Sequence, residues 1–317
     1  MIVIRSATDE DIDGLCELFR VCFSKLISVE EWLWKYKDAP HGAHSYVGVD
    51  GRLLVSHFGG IRCAMELEGY SLWAYQFCDV MTHPAYRART FSLRPPVMRA
   101  AETFYRQQEM DFAFGFPSER HARLHCLVMG ASRRMLTLYQ KRLTIQDVNI
   151  HKMPLRVYTR WDGIRDKELD VLWQKCRGLY PLSIVKDARY LRWRYQQHPT
   201  RKYQIVAWRG FFATGIKALA VVSIVKDRMN LLDFMVPNNS TIDAFLDLLD
   251  TLAVGQNVST IDVWLNGEEP VVRHFLAHGY EVSQGLPCAL KLVKSGVMDI
   301  DSFYSKFCYR MGDYDDS

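Results

Sequence analysis

Long apolar runs, paired cysteines and a strong net charge are all missing from this 317-residue chain. The longest clean apolar stretch, from Ala218 to Val225, falls far short of the roughly 20 residues that cross a bilayer. The eight cysteines never stand as Cys-x-x-Cys, and the nearest two, Cys16 and Cys22, share one expected helix. That spacing argues against a disulfide framework and against a zinc cage, and expects thiols packed as small hydrophobes. The net charge is only +4, with no basic stripe interleaved with aromatics, so a nucleic-acid partner is not expected. The N-terminus turns acidic at once (Asp9, Glu10, Asp11), unlike a secretory leader. The expectation is a cytoplasmic protein with no membrane span.

Apolar residues make up 49% and charged residues 24%, an ordinary globular balance, and the length suffices for two domains. Thr8-Asp9-Glu10-Asp11 reads as a capping box before a helix carrying Ile12, Leu15, Leu18, Phe19 and Cys22. Ser28 caps a second helix, residues 29–36. Three strands follow, at 45–49, 53–63 and 72–81, the first two joined by Asp50-Gly51. A helix is expected from about Val97 to Gln107, then a strand at 112–116, then a helix capped by Ser118 and stopped by Gly130. The same order recurs later: a helix at 187–197, strands at 203–208, 213–225 and 230–236, a helix capped by Asn239-Ser240-Thr241, a strand at 260–265, a helix and a last strand. The pattern predicts an α/β fold of mixed, mostly antiparallel sheets flanked by helices. The expected division is 1–152, 153–295 and a tail, 296–317.

The chemistry concentrates where the strand ending at Met81 enters a turn and then a helix. Such a turn offers backbone N–H groups and the positive end of a helix to an anion. Arg87, Arg89, Arg94 and Arg99 add charge there.

The stretch Thr82-His83-Pro84-Ala85-Tyr86-Arg87-Ala88-Arg89-Thr90-Phe91-Ser92 resembles the cofactor loop of the GNAT acyltransferase superfamily. Val47-Gly48-Val49-Asp50-Gly51-Arg52, His57-Phe58-Gly59-Gly60 and Phe114-Gly115-Phe116-Pro117-Ser118-Glu119-Arg120 agree with it over residues 1 to about 140. The resemblance implies acetyl-CoA as acyl donor, with the backbone of Val80 and Met81 pairing with pantetheine and Arg87, Ala88, Arg89, Thr90, Phe91 and Ser92 cradling pyrophosphate. The family's loop glycines are Thr90 and Ser92 here, and Ala88 also replaces a frequent glycine. Glycine at such places permits close backbone approach. The resemblance also implies a base on the fourth strand, for which Asp79 is the candidate; the other reading of Asp79 is a carboxylate bonded to the turn. Cys126, with His125 beside it, occupies the place of the family's acid; the other reading of Cys126 is a buried thiol. His57 either faces the acceptor or is a satisfied core histidine. His121/His125 and His274/His278 stand at metal-binding spacing, but neither pair sits in a His-Glu-x-x-His motif, so no metal is expected.

In the second half, Asn266-Gly267-Glu268-Glu269-Pro270 to Gly279-Tyr280 resembles the same superfamily, yet the strand end Phe234 to Ser240 has neither arginine nor glycine. A GNAT-like half without a cofactor site is expected. The helix Asp187 to Tyr195 is dense in arginine and aromatics, suiting either packing with a solvated arginine face or an anion contact. The tail, Phe307 to Asp315, is similar to that of tandem GNAT-like proteins from surface-polysaccharide gene sets, with Asp313 either reaching the acceptor or solvated. The resulting reading is acyl transfer to a small-molecule amine, such as a nucleotide-linked amino sugar. A non-catalytic scaffold and an enzyme fed by acyl carrier protein are the alternatives.

Overall fold

The computed structural model describes residues 1–87, 95–143, 157–209 and 215–314. The chain opens with β1 (Val3–Ser6), α1 (Ile12–Phe23) and α2 (Val29–Tyr36). Ser28 Oγ accepts from Glu31 N at 3.1 Å and so caps α2. Three antiparallel strands follow, β2 (Ala43–Asp50), β3 (Leu53–Leu67) and β4 (Tyr70–Thr82). After the single turn α3 (Pro84–Arg87), two prolines open the next helix: Pro95 is the cap and Pro96 the first residue of α4 (Pro96–Gln107). β5 (Phe112–Gly115) lies parallel to β4, α5 (Glu119–Met129) ends on left-handed Gly130, and β6 (Ser132–Arg142) closes this run. Ser118 is the N-cap of α5 as expected, but its side chain makes no capping bond; its hydroxyl meets His121 Nδ1 at 3.1 Å.

After β7 (Val157–Tyr158) come α6 (Asp166–Cys176), β8 (Leu182–Ile184) and α7 (Ala188–Leu191), which continues into a π-helical turn, Arg192–Gln196. Then β9 (Gln204–Arg209), β10 (Ile216–Val225), β11 (Arg228–Met235), α8 (Asn239–Gly255), β12 (Thr260–Trp264), α9 (Val272–Ala277) and β13 (Glu281–Leu292) repeat the first run, again with one parallel pair, β11 on β12. The cap of α8 is Asn238, one residue before the expected Asn239, since its side chain accepts from Thr241 N at 3.0 Å. α10 (Ile300–Lys306) and a 3₁₀ turn, Met311–Asp313, carry the tail.

The described strands form one sheet in the order β1-β2-β3-β4-β5-β13-β6-β12-β11-β10-β9-β7, with β8 paired to β3. The last strand of each run has crossed to the other: β13 pairs with β5, and β6 pairs with β12. The expected break near residue 152 is therefore not a break in the sheet. The expected linker at 151–154 lies outside the described residues.

One core packs Phe58, Tyr75, Phe77 and Phe104 under α4, and another packs Leu231, Phe245, Leu249 and Phe275 under α8. On the opposite face a third core joins α1 and α2 to α6 and α7. At its centre Trp34 and Trp193 stack with centroids 4.9 Å apart. Each indole N–H donates to the other's backbone carbonyl, at 2.8 and 3.0 Å. Burial of two large rings and satisfaction of both N–H donors tie the two runs together.

Candidate active site

β4 and β5 pair only from Ala74/Phe112 to Gln76/Phe114, then part. The wedge is Phe77: a Cβ on Gly115 would lie 2.4 Å from its ring, so only glycine lets the ring sit there. Beyond it, β4 bulges. His57 pairs with Met81 and Gly59 with Cys78, leaving Asp79 and Val80 opposite Phe58 alone. Asp79 sits in the left-handed region at φ +50. From Phe77 to Thr82 the edge of β4 facing β5 carries no strand among the described residues, and a cleft of about 900 Å³ opens beside it.

The wall of this cleft includes Phe19, Phe23, Phe116 and Val80, with the polar groups Glu31, Lys35, Asp79, His121, His125, Thr200, Arg201 and Tyr314. One end is cationic. Arg87 donates from Nε to Thr82 O at 2.9 Å, and burial together with Arg120 and Arg87 holds His121 below the usual histidine pKa. At the other end Glu31 accepts from Thr200 Oγ1 at 3.3 Å, and among the described residues it makes no ion pair. Glu31 and Lys35, one helical turn apart on α2, face the same space.

The expected site residues fall into place unevenly. Val80 lines the cleft, whereas Met81 is buried and does not. Ala88, Arg89, Thr90, Phe91 and Ser92 lie outside the described residues. Asp79 lines the cleft but is engaged: Lys35 Nζ meets its oxygens at 3.1 and 3.2 Å and Tyr36 OH donates at 2.8 Å. His125 is buried on Phe77 at 4.6 Å, and burial pushes its pKa down to about 4. At neutral pH it is uncharged and is not an imidazolium acid. Cys126 is half-buried and does not line the cleft. His57 does not face the cleft either. It is fully buried between Trp32 and Tyr36, with Nδ1 2.6 Å from Asp79 O.

Asp313, expected at the acceptor or in solvent, is in neither place. Its carboxylate pairs with Lys186 and takes Arg310 N at 2.8 Å, and burial raises its pKa. Gln76 Nε2 donates to its carbonyl at 2.6 Å. The tail residue that reaches the cleft is Tyr314, packed on Phe116 and Trp264, its carbonyl held by Arg194 Nη2 at 2.6 Å. Arg194 is itself buried, so the arginine-rich turn does not present a purely solvated face.

The second run of elements explains the state of Asp79. Trp193-Arg194-Tyr195 matches Trp34-Lys35-Tyr36, and Asp233-Phe234-Met235 matches Asp79-Val80-Met81. Tyr195 OH donates to Asp233 at 3.0 Å just as Tyr36 does to Asp79. These repeats were readable in the sequence and mark the tyrosine–aspartate bond as part of the scaffold. In the second run, however, the wedge is filled. β11 and β12 part after Leu231/Val263, and Arg310 occupies the gap, 4.5 Å from Phe234 and bound to Glu269 at 2.7 and 2.9 Å. Tyr180 OH takes the Phe234 carbonyl at 3.2 Å. Among the described residues no group of three or more His, Cys, Asp or Glu side chains could hold a metal, and no helix is long and apolar enough to cross a membrane.

Comparison with solved structures agrees with this fold. No curated protein sequence matches the chain. Among solved structures it is similar to a probable N-acyltransferase of Enterococcus faecalis V583, described as a conserved protein of unknown function, with TM-score 0.72 at 12% identity over 92% of this chain and 73% of that one. A GCN5-related N-acetyltransferase of Anabaena variabilis ATCC 29413 gives 0.68 at 10% identity, over 93% and 73%. One from Kribbella flavida gives 0.67 at 11%, over 92% and 72%. The family model for the acetyltransferase (GNAT) domain matches residues 3–122, the stretch that holds the bulge, the wedge and most of the cleft.

Proposed function

We propose that the chain moves an acetyl or other short acyl group from CoA to an amine. The open edge of β4 beyond Gln76, bordered by a cleft with a cationic end, is the observation that carries this reading. Pantetheine pairs with the backbone of Val80 and Met81. The phosphates meet Arg87, with Arg120 and His121 nearby, and the loop from Ala88 to Ser92.

Of the two carboxylates on the cleft wall, Asp79 is neutralised by Lys35, so Glu31 is the one placed to take the amine's proton. The amine nitrogen then bonds to the thioester carbon as the C–S bond breaks, and backbone N–H groups stabilise the oxyanion. The Tyr314 hydroxyl is the candidate donor to the leaving thiolate. Thr200, Arg201 and Tyr314 come from beyond residue 152, so the second run completes the acceptor wall. An acceptor such as a nucleotide-linked amino sugar suits the mixture of Glu31 and Arg201 there.

Calorimetry with acetyl-CoA, followed by turnover across an amine panel, tests the proposal. Binding should be lost in an Arg87→Ala, Arg89→Ala variant. Glu31→Gln should keep acetyl-CoA affinity and lower kcat by about 10²-fold or more, the usual scale of general-base catalysis. Absence of heat at millimolar acetyl-CoA would replace the enzyme with a scaffold.

A further inference from the structure

We infer that His57 is a positioning residue for acyl-CoA: it clamps the Asp79 carbonyl and so holds the β4 bulge in the shape that opens the strand's edge. The inference rests on the cofactor reading above.

The bulge needs holding. A left-handed aspartate is uncommon backbone, and nothing in a regular ladder selects it. Three side chains act on this one residue. Lys35 and Tyr36 hold its carboxylate, and His57 holds its carbonyl. Only the last acts directly on the peptide group that leads into Val80.

The imidazole is in one tautomer. A carbonyl can only accept, so the proton is on Nδ1, and burial keeps the ring neutral. Nε2 is then a bare acceptor, buried and without a partner among the described residues. Such a group carries a desolvation cost that an apolar side chain would avoid. The donor at Nδ1 is what the histidine supplies in return. Space for it is cleared by Gly59, where a Cβ would lie 2.7 Å from His57 Cε1 and 2.5 Å from Tyr36 OH.

The second run provides an internal control. There the residue paired with Met235, as His57 is with Met81, is Leu219. Asp233 keeps its tyrosine bond but not a positive φ. The histidine and the left-handed aspartate thus occur together in the half whose edge is open. Both are missing in the half whose wedge is filled by Arg310.

The test separates a donor from a packing residue. His57→Asn places an amide N–H near the Nδ1 position. His57→Phe keeps the ring volume against Trp32 and Tyr36 without a donor. His57→Gln, whose donor is displaced, serves if the Phe variant does not fold. Acetyl-CoA affinity is measured by calorimetry, and amide exchange at Val80 and Met81 by NMR. The Asn variant should bind within about threefold of wild type. The Phe or Gln variant should bind at least about tenfold more weakly, with faster exchange at Val80 even without ligand. Equal weakening in all variants, or none, overturns the clamp. A wild type that binds no acetyl-CoA instead sinks the cofactor reading, and the inference falls with it.

Discussion

His125 offers a sharp physical test because it lies on the cleft floor and is held uncharged by burial. Its pKa is pushed from the ordinary 6.5 down to about 4, chiefly by desolvation and then by His121. A basic group with a depressed folded pKa contributes stability that is complete above the unfolded pKa. Below pH 6.5 the unfolded chain takes up a proton that the folded chain refuses, so the contribution drains away until the pH reaches about 4. At about pH 4.5 the loss is ~2.5 kcal/mol. His125→Phe removes the titrating group and keeps an aromatic on Phe77. Urea unfolding of both proteins at pH 7 and about pH 4.5 should show the wild type losing ~2.5 kcal/mol more than the variant. Other groups, such as the buried His198, titrate equally in both and cancel in the comparison. Parallel losses would refute the reasoning: the folded ring would then take up its proton over the same pH range as the unfolded one, and a role as acid would return.

Arg310→Leu should cost about 3–5 kcal/mol, because Glu269 is left charged and buried; adding Glu269→Leu should recover most of that, as read by denaturant midpoints. Gly59→Ala should cost about 1–3 kcal/mol through the clash with Tyr36 and His57, and thermal unfolding measures it.

Much of the first run was legible because its signals are local. Asp50-Gly51 turns the first hairpin, Ser28 caps α2, and Gly130 ends α5 in the left-handed region at φ 63. The resemblance to the GNAT domain was visible in the loop at Thr82–Arg87 for the same reason. The site residues were less legible, because their roles depend on partners far along the chain. Asp79 reads as a base until Lys35, 44 residues earlier, is seen against it. Asp313 reads as a solvated tail residue until Lys186 and Gln76 are found to bury it. Glu31 carried no signal beyond its place in the first turn of α2. Hydrophobic period identifies a strand but not its neighbour, so the crossing of β6 and β13 was invisible. The doubled Trp-x-Tyr and Asp-x-Met triplets were the available sign that two similar units had been joined.

That crossing bears on how the protein is made. During synthesis the stretch that matches the GNAT domain model emerges before β13, and the far edge of β5 has no strand on it until β13 arrives, 177 residues after Gly115 (292 minus 115). At ordinary elongation speeds this is roughly 10–35 seconds, during which Phe112–Gly115 is a bare, apolar strand edge. Ribosome-bound chains stopped before residue 281 should therefore be the species that chaperones hold and that aggregate when chaperones are scarce.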